Sequence, residues 1–278
     1  MKTWFVTGSS SGFGLEIAKE ILSRGDNLVA TARDVSKLGA LVEVGGERVR
    51  AVELDVTRTG EAERAIGEGV KAFGRIDVVI NNAGYGLLGA LEECDDGQIA
   101  RNFETNFFGA LRVMRAAVPI FKAQRYGRFI NMSAAAAISN YAGFSVYGAA
   151  KCALEGLSES VALELASFGV RVTIVQPGPF RTDFIARSME RGSKSNPDYN
   201  GTVGAFAKVL EKVNGRQPGD PARAAKIICG TVDDDAPPMR LVLGKYAVGK
   251  VRKKIASLDA ELSKWEASGV WADYPPGT

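Results

Sequence analysis

Short apolar runs alternate along the chain with longer stretches in which apolar residues recur every three or four positions. The first pattern suits strands buried on both faces and the second suits amphipathic helices. Their alternation predicts a parallel sheet with crossover helices. Strands are expected at Thr3 to Thr7, Asn27 to Ala32, Val49 to Val56, Asp77 to Ile80, Arg128 to Met132, Val170 to Val175 and Arg240 to Leu243. Helices are expected through Leu22, from about Gly60 to Phe73, around Asn106, and from about Tyr147 to Phe168, where Gly169 acts as C-cap. Another follows Gly219-Asp220-Pro221 and runs to Val232. The implied fold is α/β: one doubly wound domain over 1–278 with a parallel sheet of about seven strands. Two segments depart from the rhythm. Residues 183–217 mix apolar positions with a Gly/Ser/Asn-rich centre, as in a loop that closes over a ligand. Residues 245–278 read as a helical tail, amphipathic from Lys245 to Trp265 and loosely held after Gly269.

Composition narrows the functions open to this fold. A length of 278 residues with 46% hydrophobic suits one domain with a sizeable core. Lys+Arg 35 against Asp+Glu 32 gives no electrostatic reason to expect a nucleic-acid or membrane partner, and the basic cluster Lys250 to Lys254 reads as a solvated helix face. The chain has no histidine, and Cys94, Cys152 and Cys229 are widely spaced, so histidine triads are excluded and no metal site is expected. Reduced cysteines, no signal segment and no apolar run of membrane-spanning length lead us to expect a cytoplasmic protein.

Candidate chemistry sits where strands end. After the first strand come Gly8, Ser10, Ser11, Gly12, Phe13 and Gly14, then a helix. Glycines there allow a tight turn and close backbone approach, and the helix N-terminus offers unpaired N–H groups to a phosphate. At the end of the second strand Ala32 stands where an acid would hold an adenosine 2′-hydroxyl, and Arg33 follows, as suits a 2′-phosphate. NADP(H) is therefore expected over NAD(H). Tyr147 and Lys151 lie one turn apart on one helix face. An ammonium beside a phenol lowers the phenol's pKa and fits it for general acid/base work.

The pattern Thr7-Gly8-x-x-x-Gly12-x-Gly14, the segment Asn81-Asn82-Ala83-Gly84 and the Tyr147-x-x-x-Lys151 pair resemble the short-chain dehydrogenase/reductase family over nearly the whole chain. The resemblance implies a Rossmann-like domain that moves a hydride between a nicotinamide and a carbonyl or alcohol. It further implies that Asp55 and Val56 meet the adenine edge, and that Asn81, Ala83 and Gly84 line the cofactor groove. Pro177, Gly178, Phe180 and Thr182 would cover the nicotinamide, Lys151 would also hold the ribose, and Asn106 would hold a water linking Lys151 to solvent.

One motif departs from the family. Its catalytic serine lies 13 positions before the tyrosine, which here is Ala134, with Ser133 one residue too early. Neighbouring side chains in a strand face opposite ways, so Ser133 should point away from the site. Three readings stand: serine replaced by alanine with the rest intact, a bulge that re-aims Ser133, or a hydrogen bond supplied by Ser139, Asn140 or Tyr141. Tyr85, Ile138, Tyr141, Phe144, Phe184 and Met189 are expected to form an apolar substrate pocket. The function expected is an NADP(H)-dependent carbonyl reductase/alcohol dehydrogenase for hydrophobic or aromatic ketones and secondary alcohols, weakened at Ala134. The alternative is a silent NADP(H)-binding sensor or interaction protein. Small residues along the Tyr147 helix, together with the family's habit of packing there, suggest a homo-oligomer, dimer or tetramer.

Overall fold

A computed structural model describes residues 1–274. In chain order the elements are β1 (Thr3–Val6), α1 (Gly12–Ser23), β2 (Asn27–Ala32), α2 (Gly39–Gly45), β3 (Val49–Glu53), α3 (Glu61–Phe73), β4 (Val78–Asn81) and β5 (Gly86–Leu88). Next come α4 (Asp96–Phe103), α5 (Gly109–Gln124), β6 (Gly127–Met132), α6 (Ala135–Ile138), α7 (Ser145–Leu165) and β7 (Val170–Pro177). The chain continues through α8 (Phe184–Arg187), β8 (Met189–Arg191), α9 (Val203–Val213), α10 (Pro221–Gly230), β9 (Arg240–Leu243) and α11 (Lys245–Val270).

Seven strands form one parallel sheet in the order β3-β2-β1-β4-β6-β7-β9. The order reverses at β1 and β4, and in open α/β sheets ligands bind beyond the C-terminal strand ends at such a point. Alternation along β1 sends Trp4 and Val6 to one side, against Ile17 and Ile21 of α1 and Ile228 of α10. Phe5 goes to the other side, against Ile66 of α3 and Val113 and Phe121 of α5. Both faces are covered, which is why the strands read as apolar runs.

Several boundaries differ from the sequence reading for local reasons. β3 ends at Glu53, paired with Ala32, the last residue of β2; beyond it Asp55 and Val56 leave the sheet. β7 instead runs on to Pro177, because β9 offers Val242 and Leu243 as partners for Gln176 and Pro177. The strands β5 and β8 went unforeseen; they pair parallel as a separate sheet, Leu87 opposite Glu190. That pairing, with α8 and α9, puts secondary structure into the 183–217 insertion where a loop was expected. Its polar centre is pinned too, with Asn196 N–H donating to Glu93 Oε1 at 2.8 Å and Lys194 N–H to the Glu93 carbonyl at 3.1 Å. α11 reaches Val270, past the expected Trp265. Of the tail 245–278, residues 275–278 lie outside the described residues.

Candidate active site

A cleft of about 1140 Å³ crosses the C-terminal ends of the strands. One end is made of the β1–α1 loop. Gly8 and Gly12 take φ of +69° and +55°, a region that side chains disfavour. A Cβ on Gly14 would lie 2.1 Å from the Gly8 carbonyl oxygen, so this glycine lets the helix start close under the loop. Ser11 occupies the N-cap without bonding the amides of the first turn, which leaves those donors for an anion. Asn82 latches the loop: its Nδ2 donates to the Thr7 and Gly8 carbonyls at 2.9 and 3.1 Å, while Thr7 Oγ1 accepts from the amides of Asn82 and Ala83. Arg33 is exposed on the cleft wall with Ser10, Asp55 and Val56. Asp34 turns away to cap the next turn, accepting from Ser36 N–H at 3.1 Å. The glycine cradle and the free helix-start amides fit the pyrophosphate of a dinucleotide, with the Arg33 cation at the far wall.

At the cleft's centre, the segment after β4, the turn Glu104–Phe108 and α7 bring Asn106 and Lys151 together around Gly84, and Tyr147 lines the same cleft. A Cβ on Gly84 would lie 2.5 Å from Asn106 Oδ1 and 3.2 Å from Lys151 Nζ, so only glycine leaves them room. Asn106 lies in a π-helical turn, Glu104–Phe108. Its Nδ2 donates to the Tyr85 and Asn102 carbonyls at 2.9 and 3.0 Å, and Oδ1 accepts from Tyr85 N–H at 3.3 Å. Both amide hydrogens are thus used on backbone, and a water relay through this side chain has only Oδ1 left to it. Lys151 Nζ donates to the Met132 carbonyl at 2.9 Å.

The titration of this pair differs from the sequence expectation. Burial pushes the Lys151 ammonium down to about 8, and burial pushes the Tyr147 phenol up. The ammonium lies 5.9 Å from the phenol ring centroid, and burial is the cause of both shifts.

Ala134 is extended, with φ −158° and ψ 156°, and its methyl packs with Tyr147 and Phe144. Ser133 points the other way, as strand alternation requires. Its hydroxyl donates to Glu155 Oε1 at 2.6 Å, and Gln176 Nε2 donates to both Glu155 oxygens at 2.8 and 2.9 Å. No bulge re-aims Ser133, which removes that reading. Asn140 is turned to the Phe144 carbonyl at 3.1 Å, and Ser139 lies off the cleft beside Ile138. Of the three remoter candidates, Tyr141 alone lines the cleft.

Gly8, Ser10, Ser11, Gly12, Phe13, Ala83, Pro177, Gly178, Phe180 and Thr182 all line the cleft, as do Tyr85, Phe144, Phe184 and Met189. Three expected residues do not. Ile138 faces a separate shallow hollow with Cys152. Asn81 is buried in the sheet, donating to Asn131 Oδ1 at 2.8 Å. Gly14 is buried under Gly8, where it packs without reaching the cleft. Phe206, Leu210 and Tyr246 also wall the cleft and escaped the sequence reading. Phe206 stacks on Tyr141 with centroids 4.8 Å apart, and the spacing Val203, Phe206, Ala207, Leu210 was the helical signal for this wall. No cluster of metal-ligating side chains occurs among the described residues.

A doubly wound parallel sheet with a glycine cradle at its switch point and a Tyr-x-x-x-Lys helix beside it defines a dehydrogenase-type oxidoreductase. The chain belongs to the short-chain dehydrogenase family, whose model matches residues 2–192. It is 41% identical over 265 residues to an oxidoreductase of Botryotinia fuckeliana, covering 95% of this chain and 96% of that one. It is 35% identical to a 3-ketodihydrosphingosine reductase of Bacteroides thetaiotaomicron, covering 86% of each. Among solved structures, a short-chain dehydrogenase from Streptomyces avermitilis superposes with a TM-score of 0.92 at 38% identity, over 98% of this chain and 100% of that one.

Proposed function

We propose that this oxidoreductase is an NADP(H)-dependent carbonyl reductase/alcohol dehydrogenase acting on hydrophobic ketones and secondary alcohols, and that Ala134 slows it. The observation that carries the reading is that Lys151 and Asn106 meet at Gly84 and share one cleft with Tyr147, the glycine cradle and Arg33. Gly8, Gly12 and the first amides of α1 would hold the pyrophosphate, and Arg33 the 2′-phosphate. Thr182 and Phe180 would hold the nicotinamide end. The bound cofactor supplies or takes the hydride. Tyr147 exchanges its phenolic proton with the substrate oxygen. Lys151, held on the Met132 carbonyl beside Tyr147 and tuned to about 8, keeps a proton in reach near neutral pH. Asn106 fixes the Tyr85 backbone and thereby the room around Gly84.

The substrate class follows from the walls. Tyr141, Phe144, Phe184, Met189, Phe206 and Leu210 present apolar surface beside Tyr147. Two relatives carry names that refer to a keto compound and an alcohol, the 3-ketodihydrosphingosine reductase and a retinol dehydrogenase 8 of Bos taurus, 31% identical over 260 residues.

At position 134 the donor that would meet a developing oxyanion is missing, and Ser133 is committed to Glu155. One such donor is worth ~10²–10³ in rate. The test is NADPH oxidation with a panel of aryl and long-chain ketones, for the protein and for Ala134→Ser. A gain of about 10²-fold in kcat supports the reading. Equal rates would move the donor's role to Tyr141. NADPH binding without turnover in either protein would replace the reading by a nucleotide-sensing one.

A further inference from the structure

Only the root of α11 rests on the domain. Ala247 and Val251 are buried, whereas every residue from Ile255 to Val270 is exposed. The apolar stripe continues where the domain ends. Val248, Val251, Ile255, Leu258, Leu262 and Trp265 follow spacings of three and four in alternation, the repeat of a seam that meets another helix. Ile255, Leu258, Leu262 and Trp265 are 59%, 48%, 67% and 63% exposed. A bare helix of a few turns is marginal in water, and most helical stability comes from packing an apolar face.

The charges flanking this seam are sorted by sign. Lys245, Arg252 and Lys254 flank the root, and Asp259, Glu261 and Glu266 flank the outer half. We infer that α11 pairs antiparallel with α11 of a second copy of this chain. In the register that sets Ile255 against Leu258 of the second copy, Leu262 reaches the rim at Val251 and Trp265 reaches Val248. The flanks then bring Arg252 to Asp259, Lys254 to Glu261 and Lys245 to Glu266, each pair occurring twice. A parallel pair would set Glu261 beside Glu266. An anionic lipid surface fits worse, because the flanks of the exposed half are acidic. The root that this pairing braces also borders the substrate end of the cleft: Tyr246 lines it, and Lys250 Nζ donates to the Asn140 carbonyl at 3.1 Å.

Analytical ultracentrifugation of the full chain over a wide concentration range tests this. The chain should self-associate. Leu258→Asp with Leu262→Asp should raise the dissociation constant of that assembly ~100-fold or more, the loss expected for two buried leucines. Glu261→Lys should weaken it about tenfold by facing Lys254, and adding Lys254→Glu should restore it. Leu258, Glu261 and Leu262 are exposed and Lys254 is half-buried, and circular dichroism and NADPH binding verify that each variant is folded. A monomeric parent, assembly that ignores the double aspartate variant, or a charge swap that fails to restore it overturns the proposal. So does a monomer that cosediments with phosphatidylserine vesicles, which would assign the seam to lipid.

Discussion

At one end of the cleft the walls are backbone, and at the other they are aromatic side chains. Near β1, the glycine cradle, the free amides of α1 and the Asn82 latch set the shape, with the Asn82 side chain donating to the Thr7 and Gly8 carbonyls of the loop. Near β5 and β8, Tyr141, Phe144 and Phe206 pack against one another with centroids 4.8 to 6.0 Å apart, on elements outside the main sheet. On the proposed function the first end would recognise groups that every nicotinamide dinucleotide shares. The second can change its ligand by changing side chains without disturbing the sheet. A fold that keeps cofactor and substrate recognition on separate materials can vary one and hold the other fixed.

Lys151 lies where the two ends meet, and it carries the largest expected effect. Its ammonium is buried, and burial moves its pKa from the ordinary 10.5 to about 8. The folded chain therefore binds that proton less readily than the unfolded one. Below pH 8 both states hold it, and the folded state bears the full burial cost, on the order of 3 kcal/mol. Between pH 8 and 10.5 only the unfolded state keeps the proton, so stability of the parent protein rises with pH. Lys151→Met should accordingly be more stable than the parent at pH 7, by up to ~3 kcal/mol, and lose turnover. Urea denaturation at several pH values measures this. The gap should shrink from pH 8 upward, and a less stable variant at pH 7 would mean that the Nζ bond to Met132 outweighs the buried charge.

Arg33 probes the polar end alone. A charge-assisted contact to phosphate contributes ~1.5–3 kcal/mol, so Arg33→Ala should raise the KM for NADPH by about tenfold or more while leaving that for NADH little changed. Steady-state kinetics with both cofactors decide it. An equal loss for both would detach Arg33 from the 2′-phosphate.

The same division explains what the sequence disclosed. The cradle was legible because backbone that must approach a ligand, or another backbone, demands glycine at fixed spacing. Gly14 meets it against the Gly8 carbonyl and Gly8 against the Ala83 backbone, Gly12 supplies a left-handed φ, and Gly84 leaves room for the Asn106 and Lys151 side chains. The orientation of Ser133 was legible because strand alternation is strict. The apolar end was harder to read, since its residues come from segments far apart in the chain. β5 and β8 are three residues each and gain meaning only when paired, and Tyr246 reaches the cleft from the start of a helix that otherwise leaves the domain. Ile138 failed for a related reason: in the short helix α6 it follows Ala136, which faces Tyr147, and the turn carries it to the opposite side. The π turn around Asn106 was also invisible. The sequence marks an asparagine out of place in a helix but neither the π turn nor the bond its side chain gives to the Asn102 carbonyl.

The apolar end should give way most gently, and Phe206 is the place to press on it. Phe206 is half-buried, stacked on Tyr141 and edge-on to Phe144 at 5.1 Å. It sits on α9, which contributes nothing to the cradle. Removing its ring takes away part of one wall and one aromatic stack, worth ~1 kcal/mol beyond the lost area. Phe206→Ala should raise the KM for bulky aromatic ketones several-fold, leave small ketones nearly unaffected and leave NADPH binding as it was. Kinetics with a homologous series of ketones, alongside NADPH titration, measure all three. If the variant loses NADPH affinity instead, the two ends are coupled through α9 and the separation of materials fails. If the loss grows with ketone size alone, the wall is a substrate wall, and α9 is the element on which this chain's specificity is written.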